Sequence, residues 1–147
     1  MILHDSVGRG LQWANSQYAR YAPALSGDYV LMLDDDNVLA HSEAVATMLA
    51  ASECKPDIIQ FRAEVGPNGI LPHDECWKAA PQIYHVDGHT LAVRRDKWLE
   101  YIGYFGGDRC ADYRFIRALW DGGATVQWVD NVLVTALCVG SLQWTKS

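Results

Sequence analysis

Apolar and polar positions change period along the chain, and the changes divide it into helix-like and strand-like stretches. From Gly10 to Tyr21, Leu11, Ala14, Asn15 and Tyr18 recur at helical spacing, with Ala22 continuing the stripe, and Pro23 and Gly27 end the segment. Tyr29 to Leu33 is then an unbroken apolar run, the pattern of a buried strand, and it empties into Asp34-Asp35-Asp36-Asn37. Ser42 is placed to cap a helix in which Val45, Met48 and Leu49 share one face, stopped before Pro56. Asp57 to Glu64 reads as a further strand. Gly66 to Pro81 carries three prolines and two glycines and reads as a long loop, flexible and lid-like, on the acceptor side of a site. Ile83 to Val93 suggests strand structure, and Asp96 is placed to cap a short helix from Lys97 to Ile102. Cys110 to Trp120 forms a helix closed by Gly122-Gly123, and two short strands follow, about Thr125 to Val129 and Val132 to Leu137. Ile2-Leu3 reads as the end of a strand.

The acids after the first strand carry the strongest chemical signal. Open α/β sheets bind ligands at the C-terminal ends of their strands, and clustered carboxylates there repel one another until a cation or a proton offsets the charge. If residues 33 to 37 stay extended, Asp34 and Asp36 point to one face and Asp35 to the other. Two hard oxygen ligands then suit Mg²⁺ or Mn²⁺, which fill their remaining positions with water and substrate phosphates. A solvated acidic turn capping the next helix is the alternative. A calcium loop of the EF-hand kind does not fit, because Val38 and Leu39 stand where an acid or amide and a glycine belong.

Asp112 lies in the first turn of the helix beginning near Cys110, where a carboxylate interacts well with the helix dipole, so capping is its plain structural role. His85, Asp87 and His89 would share one side of an extended segment and are competent metal ligands, although Asp87-Gly88 is also a turn signal and hydrogen-bonding or acceptor-binding roles fit them better than zinc. Trp77 is the tryptophan best placed to stack on a sugar face, while Trp13, Trp98, Trp120 and Trp128 read as core or half-buried.

The strand leading into Asp34-Asp35-Asp36, preceded by Gly8-Arg9-Gly10 and the stretch holding Asn15, resembles the middle of an A-type glycosyltransferase domain, in particular its large inverting family. A second block resembles the acceptor-side half in the same order: Gly88-His89-Thr90-Leu91-Ala92-Val93-Arg94-Arg95, Ile102-Gly103-Tyr104-Phe105, and Ala111-Asp112-Tyr113-Arg114-Phe115-Ile116-Arg117 with Gly123. The resemblance implies an α/β fold with a mixed sheet and flanking helices, and transfer of a sugar from a nucleotide-diphosphate donor to a hydroxyl acceptor with inversion. In this sequence Asp112 would be the catalytic base, although Ala111 stands where the family has Glu. Asp34 and Asp36 would hold Mn²⁺ or Mg²⁺, with Asp35, Arg94 and Arg95 toward the donor and Trp77, His89 and Asp108 toward the acceptor. Asp108, in the adjoining glycine-rich turn, is a rival for the base. The family's opening strand-helix-strand-helix unit, which contacts the nucleotide base, needs ~30 or more residues per βαβ unit, and seven precede Gly8, so that unit is expected to be missing. Its absence would leave the Tyr29 to Leu33 strand with an open edge, from which a homodimer or a complementing chain is expected.

Composition narrows the alternatives. At 147 residues the chain is expected to form a single domain, residues 1–147, with a real core. Twelve basic against eighteen acidic residues, net −6, argues against a binder that tracks nucleic-acid phosphates. The cysteines at 54, 76, 110 and 138 form no CxxC pair, and no signal peptide or apolar run of membrane-spanning length is read, so reduced thiols and a cytoplasmic location are expected. Two other functions fit the same residues: a non-catalytic carbohydrate-binding or assembly module with the same fold, and a glycoside hydrolase using paired carboxylates such as Asp36 and Asp112.

Overall fold

The computed structural model describes residues 11–106 and 110–137. Helix α1 (Leu11–Tyr21) runs into a short 3-10 turn at Ala22–Ala24, begun by Pro23, and leads to β1 (Tyr29–Leu31). There follow β2 (Asn37–Leu39), α2 (Ala44–Ala51), β3 (Ile58–Val65), β4 (Ile70–Leu71), β5 (Leu91–Arg94), α3 (Arg95–Tyr101), α4 (Ala111–Asp121) and β6 (Val126–Ala136). The fold is mixed α/β, as expected. One sheet runs in the order β1-β5-β3-β6-β2, with β4 added to the far end of β3. Among the described residues only β3 and β6 pair in parallel, and the chain between them supplies the crossover that parallel neighbours require. All other pairs are antiparallel.

The period-2 alternation of β3 explains why it is buried almost throughout: it serves two cores, one on each face of the sheet. Ile58 faces one side with Leu91, Val93, Trp98, Phe115, Ile116 and Leu119, which join α3 and α4 to the sheet. Ile59, Phe61 and Ala63 face the other with Leu133, Val134, Ala44 and Met48, which join α2. At the start of β3, Asp57 ties three strands together. Its Oδ2 accepts from the Thr125 N–H (2.7 Å) and Oγ1 (2.8 Å), its Oδ1 meets Arg94 Nη2 at 2.8 Å, and its carbonyl accepts from the Arg94 N–H.

Several sequence expectations change in the fold. In α2 the buried residues are Ala44 and Met48, whereas Val45 and Leu49 are exposed, so the three apolar positions read as one face are split. The eight-residue helix buries Ala44 and Met48, four positions apart on one line, against the sheet. The Gly66–Pro81 stretch is anchored along its length: it contains β4 and two 3-10 turns, and Leu71, Pro72, Cys76 and Pro81 are buried. Strand structure between Ile83 and Val93 is confined to its end, because a 3-10 turn at Gly88–Thr90 interrupts it. The two strands expected near the C-terminus are one, β6. Their apparent break at Asp130-Asn131 is a β-bulge, since Val129 pairs Phe61 and Val132 pairs Arg62. Arg62 Nε holds Asp130 Oδ1 of that bulge at 2.8 Å.

Candidate functional site

The acids after β1 sit in a turn. The Asn37 N–H donates to the Asp34 carbonyl at 3.1 Å, and the Leu137 N–H donates to the Asp36 carbonyl at 2.8 Å, which pins the turn to the end of β6. Residues 33 to 37 are therefore not extended, and the alternation that put Asp34 and Asp36 on one face does not hold. The β1 ladder ends at Leu31, and the polar run from Asp34 then favours a hydrogen-bonded turn. Asp34 is open to water on one side and crowded by protein on the other. Loss of water there raises its pKa, as do the Asp87, Asp36 and Asp35 carboxylates, while His89 opposes them. Tyr18 of α1 stands over it, with Oη a long 3.5 Å from Asp34 Oδ1. Burial, then the Asp34 charge, push the phenol up to about 12, so it remains a protonated donor. Its ring is fixed edge-on to Phe105 at 5.1 Å.

The turn before β5 brings the next residues in. The Thr90 N–H and Oγ1 both donate to the Asp87 carbonyl (3.0 and 2.6 Å), and Gln60 Nε2 of β3 donates to the Thr90 carbonyl at 2.7 Å. This closed turn, rather than an extended segment, sets His89 beside Asp87: Nδ1 lies 2.9 Å from Asp87 Oδ1. The ring is 5% exposed. Its approach to Asp87 has ion-pair distance but poor hydrogen-bond direction, and both ring nitrogens are buried without a hydrogen bond among the described residues. A buried nitrogen of this kind calls for a water or a ligand hydroxyl. Burial acts to lower the His89 pKa, but the Asp87 contact and the fields of Asp87, Asp34 and Asp112 outweigh it and the net shift is upward.

Asp112 completes the group from the first turn of α4. Its Oδ1 accepts from the Tyr113 N–H at 3.0 Å, and the Gly88 N–H also donates to its carboxylate. Burial, then the Asp87 charge, push its pKa up to about 7 against the pull of these N–H groups. Gly88 is the close-packing point of the site. A Cβ there would stand 2.3 Å from Met32 Cε and 3.8 Å from Asp112 Cβ.

Asp34, His89 and Asp112 are thus brought together, with Asp87, read from sequence only in a His85-Asp87-His89 group, and with Tyr18, which had not been singled out for the site. The signals for these two were the helical spacing of Tyr18 and the Asp87-Gly88 turn dipeptide, but neither says which distant residue it will meet. Asp35 lies in the exposed turn. Arg94 and Arg95 stand apart: β5 runs antiparallel to β1, so Arg94 pairs Tyr29, on the order of 15 Å along the strand direction from Asp34. Arg94 is held there by Asp57 and by Asp96 at 2.6 Å, and Arg95 donates to the Leu25 carbonyl. Trp77 is taken up by packing, with the Arg62 guanidinium 4.3 Å from its ring centre and Trp128 edge-on at 4.9 Å. His85 turns to His73, with ring centres 5.1 Å apart. Asp108 and the Gly8-Arg9-Gly10 segment lie outside the described residues.

Among the described residues no three His, Cys, Asp or Glu side chains gather as a ready-made metal-ligand set, and no helix is long and apolar enough to cross a membrane. No protein-family model matches the chain, and no curated protein matches it significantly.

Proposed function

We propose that the chain carries the acceptor-activating part of an inverting sugar-transfer site on an A-type glycosyltransferase-like fold. The observation that carries this reading is Asp112, a half-buried carboxylate in the first turn of α4, set beside Asp87 and poised to exchange a proton near neutral pH. A general base works best when its pKa lies near the operating pH, and burial beside a second carboxylate is a recognised way to bring an aspartate there. In the proposed reaction the acceptor hydroxyl gives its proton to Asp112 as its oxygen attacks the anomeric carbon. The bond from that carbon to the donor diphosphate breaks, and the bonding pair leaves on the diphosphate oxygen.

Asp34 and Asp36 offer hard oxygen donors in one turn, and the upward shift of Asp34 reflects loss of water first and neighbouring carboxylates second, so a hard divalent ion fits the chemistry of this turn. These two residues would hold Mn²⁺ or Mg²⁺, whose charge would stabilise the leaving diphosphate. Tyr18 would keep Asp34 in place. A sugar-binding module without turnover is a second reading, favoured by the engagement of Arg94 and Arg95 at the far end of β1.

The test is release of nucleoside diphosphate from a panel of UDP-, GDP- and dTDP-sugars with Mn²⁺ and hydroxyl acceptors. Release is expected, and Asp112→Asn should cut it by about 100-fold or more while donor binding persists. Sugar binding without release in the parent protein would select the second reading. Calorimetry with Mn²⁺ and a nucleoside diphosphate should show binding lost in Asp36→Asn; equal affinity in both proteins would remove the metal role.

A further inference from the structure

We propose that Asp87 and His89 act as one unit that positions Asp112, the Asp87 carboxylate standing at ion-pair distance from the ring's Nδ1 while the turn between them presents the Gly88 N–H to the Asp112 carboxylate. The inference deepens the assignment of Asp112 as the base and rests on it for its catalytic meaning, but its geometry stands alone. The turn is closed on itself by Thr90 and fixed to β3 by Gln60, so Asp87, Gly88 and His89 are set by the sheet rather than by a mobile loop. Thr90 is fully buried and Met32 covers Gly88, so the Gly88 N–H has little freedom to turn away from α4.

The charged groups that act on Asp112 are Asp87 and His89 from the turn and Tyr18 from α1, and Asp34 at the end of β1 acts on the same His89 and Tyr18. From α3 and the turn after it, the apolar Trp98, Ile102 and Phe105 pack against α4, and the Tyr101 hydroxyl reaches its far end at Gly122. Asp87 and His89 therefore act on Asp112 with opposite signs. The carboxylate makes a second negative charge on Asp112 unfavourable, and the imidazolium makes it favourable. The two are held 2.9 Å apart, so removing either one changes the charge that Asp112 faces. These roles belong to positioning residues: no transferred atom needs to touch them.

The test reads protonation directly, by carbon-detected NMR titration of the aspartate carboxyls and nitrogen-detected titration of the histidine rings, in the full chain without metal. In Asp87→Asn the Asp112 midpoint is expected to fall by about one pH unit or more, with the His89 midpoint falling as well, and Asp87→Glu should restore both toward the parent values. In His89→Gln the Asp112 midpoint is expected to rise. A residue that merely fills space would not move Asp112 in opposite directions in the two variants. If Asp87→Asn does not fold, His89→Gln decides alone, since an unchanged or lowered Asp112 midpoint overturns the proposal. An unchanged midpoint in folded Asp87→Asn overturns it equally. Because no turnover is measured, either result stands apart from whether the chain transfers sugar.

Discussion

A single carboxylate sets the most specific expectation. Asp112 holds its proton to about pH 7 in the fold but gives it up near pH 4 when unfolded. Between these values the native state binds the extra proton, so the stability Asp112 contributes is fully present below about pH 4 and is lost as pH rises to about 7. Asp112→Asn, which carries no charge in either state, should therefore exceed the parent in stability by on the order of 1–3 kcal/mol at pH 8, with the advantage disappearing at pH 4. Urea unfolding at the two pH values measures it, and an equal difference at both would show that Asp112 is not strained by its charge. Asp57 has the opposite character. Burial pushes its pKa up, but the two Thr125 donors and Arg94 more than reverse this, and the net shift is downward. Asp57→Ala removes acceptors from three buried or half-buried donors at the junction of β3, β5 and β6, and should cost about 2–4 kcal/mol.

At the level of elements, α2 and the β6 bulge are where burial can be tested most simply. Met48 is 8% exposed and Leu49 is 63% exposed, though they are neighbours of similar size. Met48→Ala should destabilise by about 2–4 kcal/mol, whereas Leu49→Ala should fall within about 0.5 kcal/mol of the parent. Equal losses would mean that α2 turns a different face to the sheet. Arg62 links β3 to the bulge through Asp130, and to the stretch after β4 through Asp74, the Pro72 carbonyl and the ring of Trp77. Its carboxylate partners are exposed, so the ion pairs themselves add little, and most of its worth lies in anchoring. Arg62→Met should cost about 1–2 kcal/mol and open the 73–78 stretch to proteolysis, with a change in Trp77 fluorescence. Unaltered cleavage would show that the buried Leu71, Pro72 and Cys76 hold that stretch alone.

For the molecule as a whole, the site places charges where the fold does not compensate them fully. Asp112 and His89 both keep protons in the native state that the unfolded chain releases at lower pH, so both contributions to stability are lost as pH rises. Asp57 works the other way, its contribution being lost as pH falls below the ordinary carboxylate range. In chelator-treated buffer the parent should consequently unfold at higher urea at pH 5 than at pH 8. A midpoint that rises with pH would contradict the upward shifts assigned to the cluster.

Much of the local structure was legible in the chain. The spacing of Leu11 to Tyr18, the apolar run of β1, the Gly122-Gly123 stop after α4 and the strand-like run from Asp57 to Glu64 are short-range patterns, and backbone hydrogen bonding and burial act on them directly. Asp34 and Asp112 could be named as chemical candidates because strand ends and helix first turns are marked in sequence. What only the tertiary structure decided is which of the candidates meet. Antiparallel pairing of β1 with β5 carries Arg94 and Arg95 away from Asp34, although the same pairing brings the turn before β5 toward it. The closing of that turn on Thr90 sets His89 against Asp87, and the packing of Met32 on Gly88 settles how near Asp112 can come. These outcomes depend on strand register and on side-chain fit between residues up to about a hundred positions apart in the chain, as Tyr18 and Asp112 are, and a pattern of local periodicity contains no information about either.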